Sequence, residues 1–331
     1  MHAATGMTAW RPTSGVTVAR RRADILQRLR GYFATYDVLE VDTPALSVTA
    51  VSDVQIESIA AHSTLSRVPL YLHTSPEFCM KRLLAAGYPD IYSICRVFRD
   101  GEAGARHQPE FTLLEWYRHD FSLGDIIQDT LRVIATALGE PAYSRSAIIR
   151  DYCEAFRDTV GVDPLTAGID ELATAAQADS ELRASLGENR SDWLDLLLAT
   201  RVAPAFPRDA ATVLRHYPAG QAALARLCPE DSQVADRFEV FIGGLELANG
   251  YVELTDASIQ ADRFANDQLE RRQRGYLQRP QDQALLAALQ HGLPPCAGVA
   301  LGLERLQMIH ENTDDIRNVI AFPFEGIDEP S

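Results

Sequence analysis

Residues 91–117, IYSICRVFRDGEAGARHQPEFTLLEWY, constrain the fold more than any other stretch. Ile91 to Phe98 is rich in β-branched and aromatic residues and reads as a strand. Asp100, Gly101 and Gly104 form a loop, and Phe111 to Tyr117 returns as a second strand. The loop carries Arg99, Arg106 and His107 between two rigid rails. Cationic groups so placed suit an anionic ligand such as a phosphate chain. Glu115 and Tyr117 are two apart, so on a strand they share a face. A carboxylate beside a phenol makes an ammonium site. Cations at one end and carboxylates at the other suggest ATP and an amino-bearing substrate, although a charged hairpin loop taken alone is more often only a solvated turn.

Three further stretches carry chemistry. LYLHTSPEFCMKRLL (70–84) reads as a strand, a cap and a helix. Thr74 or Ser75 serves as cap, Pro76 fits the first turn, and Glu77 lies near the positive end of the helix dipole. Glu77 and Lys81 form an i,i+4 pair, which on an exposed helix is only a surface salt bridge. FEVFIGGLELANGYVELTD (238–256) reads as a strand, a Gly243-Gly244 turn and a second strand. Glu246 and Glu253 are seven apart, so a straight strand would point them to opposite faces. A bend or bulge near Asn249-Gly250 brings both into one pocket; a simple Asn-Gly hairpin would leave both exposed. AGVALGLERLQMIH (297–310) is a small-residue strand and then a helix. Gly298 and Gly302 allow close approach of a ligand, and Arg305 in the first turn is poorly placed unless it serves an anion.

The rest frames these stretches. Residues 1–17 read as a loose lead-in. Positions 18–36 show a helical stripe of Ile25, Leu26, Leu29, Tyr32 and Phe33, followed by a strand running into Pro44. Residues 120–235 read as a mostly helical insertion with peripheral helices, and VIAFPF (319–324) as a closing strand. A chain of 331 residues with 46% hydrophobic and 23% charged content suits one large α/β core with an insertion. No apolar run approaches a membrane span and the first residues lack the apolar core of a signal peptide, so cytoplasm is expected and no membrane partner. The five cysteines are scattered without a CxxC pair, against a disulfide framework or zinc knuckle. A net charge of −15 disfavours non-specific nucleic-acid binding. Lys81 is the only lysine; composition bias is the plain cause, and few sites for self-modification a side effect.

FRDGEAGARHQPEFTLLEWY resembles motif 2 of class II aminoacyl-tRNA synthetases in its lysyl-type form. GLELANGYVELTD is similar to the lysyl-type Glu-x-x-Asn-Gly-x-x-Glu-Leu pattern, and Gly302-Leu303-Glu304-Arg305 to motif 3. The helix and strand ending at Pro44 resemble motif 1, which builds a homodimer interface. The resemblance implies an α+β class II core: an antiparallel sheet flanked by helices, with a helical insertion. It implies that Arg99 grips the ATP α-phosphate and Arg305 the γ-phosphate, making these two the catalytic residues. Glu246 is then expected to help hold Mg²⁺ and ATP, with Asp100, Gly101, His107, Gln108, Leu247 and Gly302 completing the nucleotide site. Ser75, Pro76 and Glu77 are expected near the substrate amino group, with Glu115, Tyr117, Asn249, Glu253 and Ala300 in the same pocket. One departure stands out. The family usually has Arg-x-Glu, with the Glu touching adenine, where this chain has Arg99-Asp100-Gly101. Glu102 or a backbone carbonyl must replace that contact, or adenine is held more weakly.

Motif 1 begins almost at the first residue, with no N-terminal OB-fold anticodon-binding domain before it. In this the chain resembles the elongation factor P lysyltransferases, which attach (R)-β-lysine to one lysine of that translation factor. The expectation is therefore an AMP-forming ligase using ATP and Mg²⁺, acting on (R)-β-lysine or lysine and on elongation factor P, as a homodimer and without tRNA. The alternatives are a truncated synthetase that charges tRNA, an ammonia-dependent asparagine synthetase, and a non-catalytic synthetase-like subunit. The glutamates argue against an aspartate pocket, and retention of Arg99, Glu246, Glu253 and Arg305 against a non-catalytic role.

Lysyl-tRNA synthetases generally have glycine where this chain has Ala300. A methyl there would disfavour an α-ammonium and favour a β-amino acid. Ala300→Gly should raise ATP–pyrophosphate exchange with α-lysine; an unchanged rate would remove the selective role of the methyl.

Overall fold

The computed structural model describes residues 10–64 and 66–324. Among these, eight strands form one sheet: β1 (Leu39–Glu40), β2 (Ile91–Phe98), β3 (Glu110–His119), β4 (Ile148–Asp151), β5 (Ala211–Pro218), β6 (Val234–Ile242), β7 (Leu245–Val252) and β8 (Cys296–Gly302). Their spatial order is β1-β2-β3-β8-β7-β6-β5-β4. The interior pairs are antiparallel, as expected, while the edge pairs β1–β2 and β4–β5 are parallel. The sheet is thus mixed, within the α+β class.

The helices around it include α1 (Val16–Thr35), α2 (Glu77–Ala85), α3 (Leu123–Leu138), α4 (Arg190–Leu197), α5 (Ala257–Gln273), α6 (Gln283–Gly292) and α7 (Leu303–Glu311). In α1 the stripe Ile25, Leu29, Tyr32 and Phe33 is buried. Ser122 and Asp125 close a capping box at the start of α3, and left-handed Gly139 ends it. The helix α2 begins one residue later than the sequence suggests. Pro76 is its N-cap, and Ser75 Oγ reaches the Glu77 amide at 3.4 Å.

Strand register divides the sheet into two functional faces, because residues opposite each other on neighbouring strands share a face. One row runs Gly250, Val299, Trp116 and, beside it, Ala248, Leu301, Leu114. These pack with α1, α3 and α7 into the main apolar core. The other row runs Asn249, Ala300, Glu115 and Tyr251, Gly298, Tyr117. It carries the polar groups and faces a cavity.

The two-residue turn Gly243-Gly244 joins β6 to β7 with φ of 56° and 73°, the signature of a primed hairpin turn. The expected irregularity in β7 is present, but at Leu247 rather than at Asn249-Gly250. Glu246 pairs with Phe241 and Ala248 with Val240, leaving Leu247 as the extra residue. That shift places Glu246 on the same face as Asn249 and Tyr251. Gly250 serves close packing on the opposite face: a Cβ there would lie 2.5 Å from the Phe238 ring.

Two other expectations change. The stretch 120–235 is rich in helix, yet it also supplies β4 and β5 to the sheet, and α3 belongs to the main core. VIAFPF is not a strand. A 3₁₀ turn covers Ile316–Val319, and the Phe324 amide then donates to Gln108 at 2.6 Å. Pro323 has no N–H to give a ladder. Residues 1–9 of the expected lead-in, and 325–331, lie outside the described residues.

Gly250→Ala should destabilise the fold by about 1–3 kcal/mol, the usual cost of overpacking. Equilibrium denaturation measures this; a change below about 0.5 kcal/mol, the range of neutral surface substitutions, would mean that the Phe238 ring moves freely aside.

Candidate active site

The polar face of the sheet floors a cavity of about 1540 Å³. Its wall comes from α2, the segment 46–58, Arg99 just after β2, α5 and the first turn of α7. The two ends differ in charge.

At one end stand Arg99, Arg106, His107 and Arg305. Arg99 closes β2, with its guanidinium 5.0 Å from the Phe111 ring centroid and 3.8 Å from Glu102. Arg305 donates to the Glu246 carboxylate at 3.2 Å and to its carbonyl at 3.1 Å. It also lies 2.7 Å from His107 Nε2. Burial and the Arg305 charge lower the His107 pKa, so a neutral imidazole faces the arginine. This end offers a fork of guanidinium donors for oxyanions.

At the other end three carboxylates converge: Glu77 from α2, Glu115 from β3 and Glu253 just after β7. Lys81 sits among them, only 2% exposed, with Nζ 2.6 Å from Glu77 and 2.6 Å from Glu253. Burial alone would lower its pKa, but the two carboxylates outweigh that and hold it charged. The Tyr117 hydroxyl donates to Glu115 at 2.7 Å. Burial, then the charge of Glu77, push Glu115 well above the carboxylate range. Burial pushes Glu253 up to about 7 against the pull of Lys81. Gly298 makes room in the floor, since a Cβ there would lie 2.4 Å from Tyr117 and 2.6 Å from Glu253 Oε1.

Between the ends, Arg237 on β6 organises the floor. It donates to Asn249 at 3.3 Å, to the Gln221 carbonyl at 2.6 Å and to Glu239 at 2.6 Å. The Asn249 amide donates to the Tyr251 hydroxyl at 2.9 Å. Glu239 is pushed up to about 7 by burial and then by Glu246. Of these two carboxylates Glu246 lines the cavity, and its hard oxygens fit a Mg²⁺ ion shared with phosphate oxygens.

Of the residues singled out from the sequence, Arg99, His107, Gln108, Glu246, Leu247, Gly302 and Arg305 line the cavity, as do Ser75, Glu77, Glu115, Tyr117, Asn249, Glu253 and Ala300. Asp100, Gly101 and Pro76 do not. The Asp100 amide is bonded to the Glu57 carbonyl at 2.9 Å, and Gly101 makes an exposed turn at φ 76°. Glu102, named as a substitute for the missing family glutamate, does line it. Sequence reasoning missed Arg237, Glu239 and Tyr251; continuing the two-residue period back along FEVFI would have flagged Glu239. It also left open a surface location for the Glu77–Lys81 pair, of which Lys81 is buried and Glu77 partly buried.

The sequence matches the family model for class II tRNA synthetases (D, K and N) over residues 7–326. It is 42% identical over 318 residues to an elongation factor P–(R)-β-lysine ligase of Pseudoalteromonas translucida, covering 95% of this chain and 97% of that protein. It is 44% identical over 320 residues to the ligase of the same name from Mannheimia succiniciproducens, with the same coverage. The Salmonella gallinarum ligase is 41% identical over 321 residues, covering 95% and 97%.

Carboxyl groups raised in the folded state bind protons more tightly there than in the unfolded chain. Their stabilisation is full below the unfolded value of 4.5 and lost as pH rises through about 7. The ligand-free protein should therefore lose thermal stability from about pH 5 to about pH 8. Glu115→Gln should flatten that slope. A melting temperature that rises over the interval would refute the assignment of these groups.

Proposed function

The chain belongs to the family of class II tRNA synthetases (D, K and N), and on that footing we propose that it activates (R)-β-lysine with ATP and transfers it to the ε-amine of a lysine of elongation factor P. The observation that carries this reading is the polarity of the cavity: guanidinium groups at one end, three carboxylates and a phenol at the other.

The substrate carboxylate attacks the α-phosphorus of ATP, giving an aminoacyl-adenylate and pyrophosphate. Arg99 and Arg305 offset the negative charge gathering on the phosphates. Arg305 must exchange its present partners, Glu246 and His107, for phosphate oxygens. Mg²⁺ held by Glu246 would supply further charge neutralisation. Glu77, Glu115 and Glu253 accept the ammonium hydrogens, and Asn249, oriented by Arg237, contacts the body of the substrate. The acceptor amine, as the free base, then attacks the acyl carbon; AMP leaves with the bonding pair, and the surplus proton of the amine passes to the departing phosphate or to water. No covalent enzyme intermediate is needed. Positioning of this kind can supply about 7–11 kcal/mol.

Among the described residues no helix is long and apolar enough to cross a membrane. A cytoplasmic homodimer, paired through α1 and β1, completes the reading. The net charge of −15 speaks against a tRNA polyanion as acceptor.

Incubation with ATP, radiolabelled (R)-β-lysine and either elongation factor P or bulk tRNA tests this. Label should enter elongation factor P, accompanied by pyrophosphate exchange. Label in tRNA alone would make the protein a tRNA-charging enzyme, and no exchange with any diamino acid would make it a binding subunit.

A further inference from the structure

We propose that Lys81 is a resident cation that sets how many ammonium groups the acidic pocket accepts. The inference rests on the diamino-acid reading of the cavity and goes beyond it, because it assigns selectivity to a residue that reaches no further than its two glutamates.

Lys81 is the only lysine in 331 residues, and its ammonium is enclosed between Glu77 Oε1 and Glu253 Oε2 at 2.6 Å each. It takes one oxygen from each carboxylate and leaves the other, Glu77 Oε2 and Glu253 Oε1, for a ligand. Glu253 Oε1 lies over Gly298, where the absent side chain lets the carboxylate and the Tyr117 ring approach the floor closely. Glu115 adds a third carboxylate, bonded among the described side chains to Tyr117. The other ionisable groups around this cluster are Tyr117 on β3, Tyr251 on β7, Cys95 on β2 and Cys296 on β8. All four are held neutral, chiefly by burial. Arg237 is committed to Glu239 and the Gln221 carbonyl. Arg82 and Arg263, which also line the cavity, make no ion pair to the three glutamates. With all three carboxylates ionised, as ammonium ligands require, the single lysine leaves a local charge of −2.

Two substrate ammonium groups balance that charge; one leaves a buried carboxylate uncompensated, which is costly. Without Lys81 the pocket would carry −3 and bind a diamine fully only after taking up a proton. Lys81 is in this sense a positioning residue: it touches the two glutamates, not the reacting atoms.

The test is ATP–pyrophosphate exchange with (R)-β-lysine between pH 6 and pH 9 for wild type, Lys81→Met, Glu77→Gln and the double variant. Lys81→Met should raise KM by about 100-fold with little change in kcat, as expected for breaking a buried pair. Its KM should fall as pH is lowered, since a proton replaces the lost charge. Wild-type KM should rise over the same range, as protonation removes carboxylates the substrate needs. The double variant restores the charge of −2 and should have a lower KM than either single variant. If Lys81→Met does not fold, the comparison of the double variant with Glu77→Gln decides. Lys81→Met with wild-type KM, or with the wild-type direction of pH dependence, overturns the proposal, as does a double variant no better than Glu77→Gln. Absence of exchange by the wild type overturns the diamino-acid reading and this inference together, whereas an active wild type with indifferent variants overturns only the role of Lys81.

Discussion

One extra residue in β7 governs the active face. A regular strand would put Glu246 on the side of Ala248 and Gly250, inside the apolar core. The bulge at Leu247 changes the phase by one residue, so Glu246 joins Asn249 and Tyr251 beside Glu239 and Arg237. Since side-chain direction in a strand has a period of two, a single insertion is enough to move a carboxylate from one face to the other. Arg305 depends on that placement, because its guanidinium is bonded to both the carbonyl and the carboxylate of Glu246.

The same sheet separates two electrostatic environments within one cavity. Guanidinium groups collect where the β2–β3 loop meets the start of α7, and carboxylates where α2 crosses the ends of β3 and β7. Sheet rigidity keeps the two apart. Glu115 and Glu253 are buried with raised pKa values and the lysine beside them stays charged, so full ionisation of the ligand-free pocket is unfavourable, a cost that the proposed diammonium ligand would relieve. Such a site discriminates through the cost of leaving polar groups unpaired, which is more selective than apolar contact. The resident lysine keeps that cost small enough for the fold to tolerate.

Much of this was legible before any coordinates. The strand–loop–strand of 91–117, the shared face of Glu115 and Tyr117, the Gly243-Gly244 turn and the anion-directed Arg305 all follow from local rules of period and turn chemistry. The location of the bulge was not legible, because Asn249-Gly250 is the stronger local turn signal while Leu247 carries none. Gly250 turned out to answer a packing demand from Phe238 and Val299, two partners on other strands. Asp100 and Gly101 read as nucleotide contacts by analogy, yet the Asp100 amide is bonded to Glu57, which Arg271 and Arg279 hold in place.

The sequence by itself determined the elements, the residue types able to bind phosphate and ammonium, and the order in which they occur, since these depend on neighbours a few positions away. Only the tertiary structure decided which of them meet. Lys81 and Glu77 look like a surface pair on one helix until Glu253, 172 positions later, closes over them. Whether a charge is solvated or buried depends on what packs above it, and no spacing along the chain encodes that.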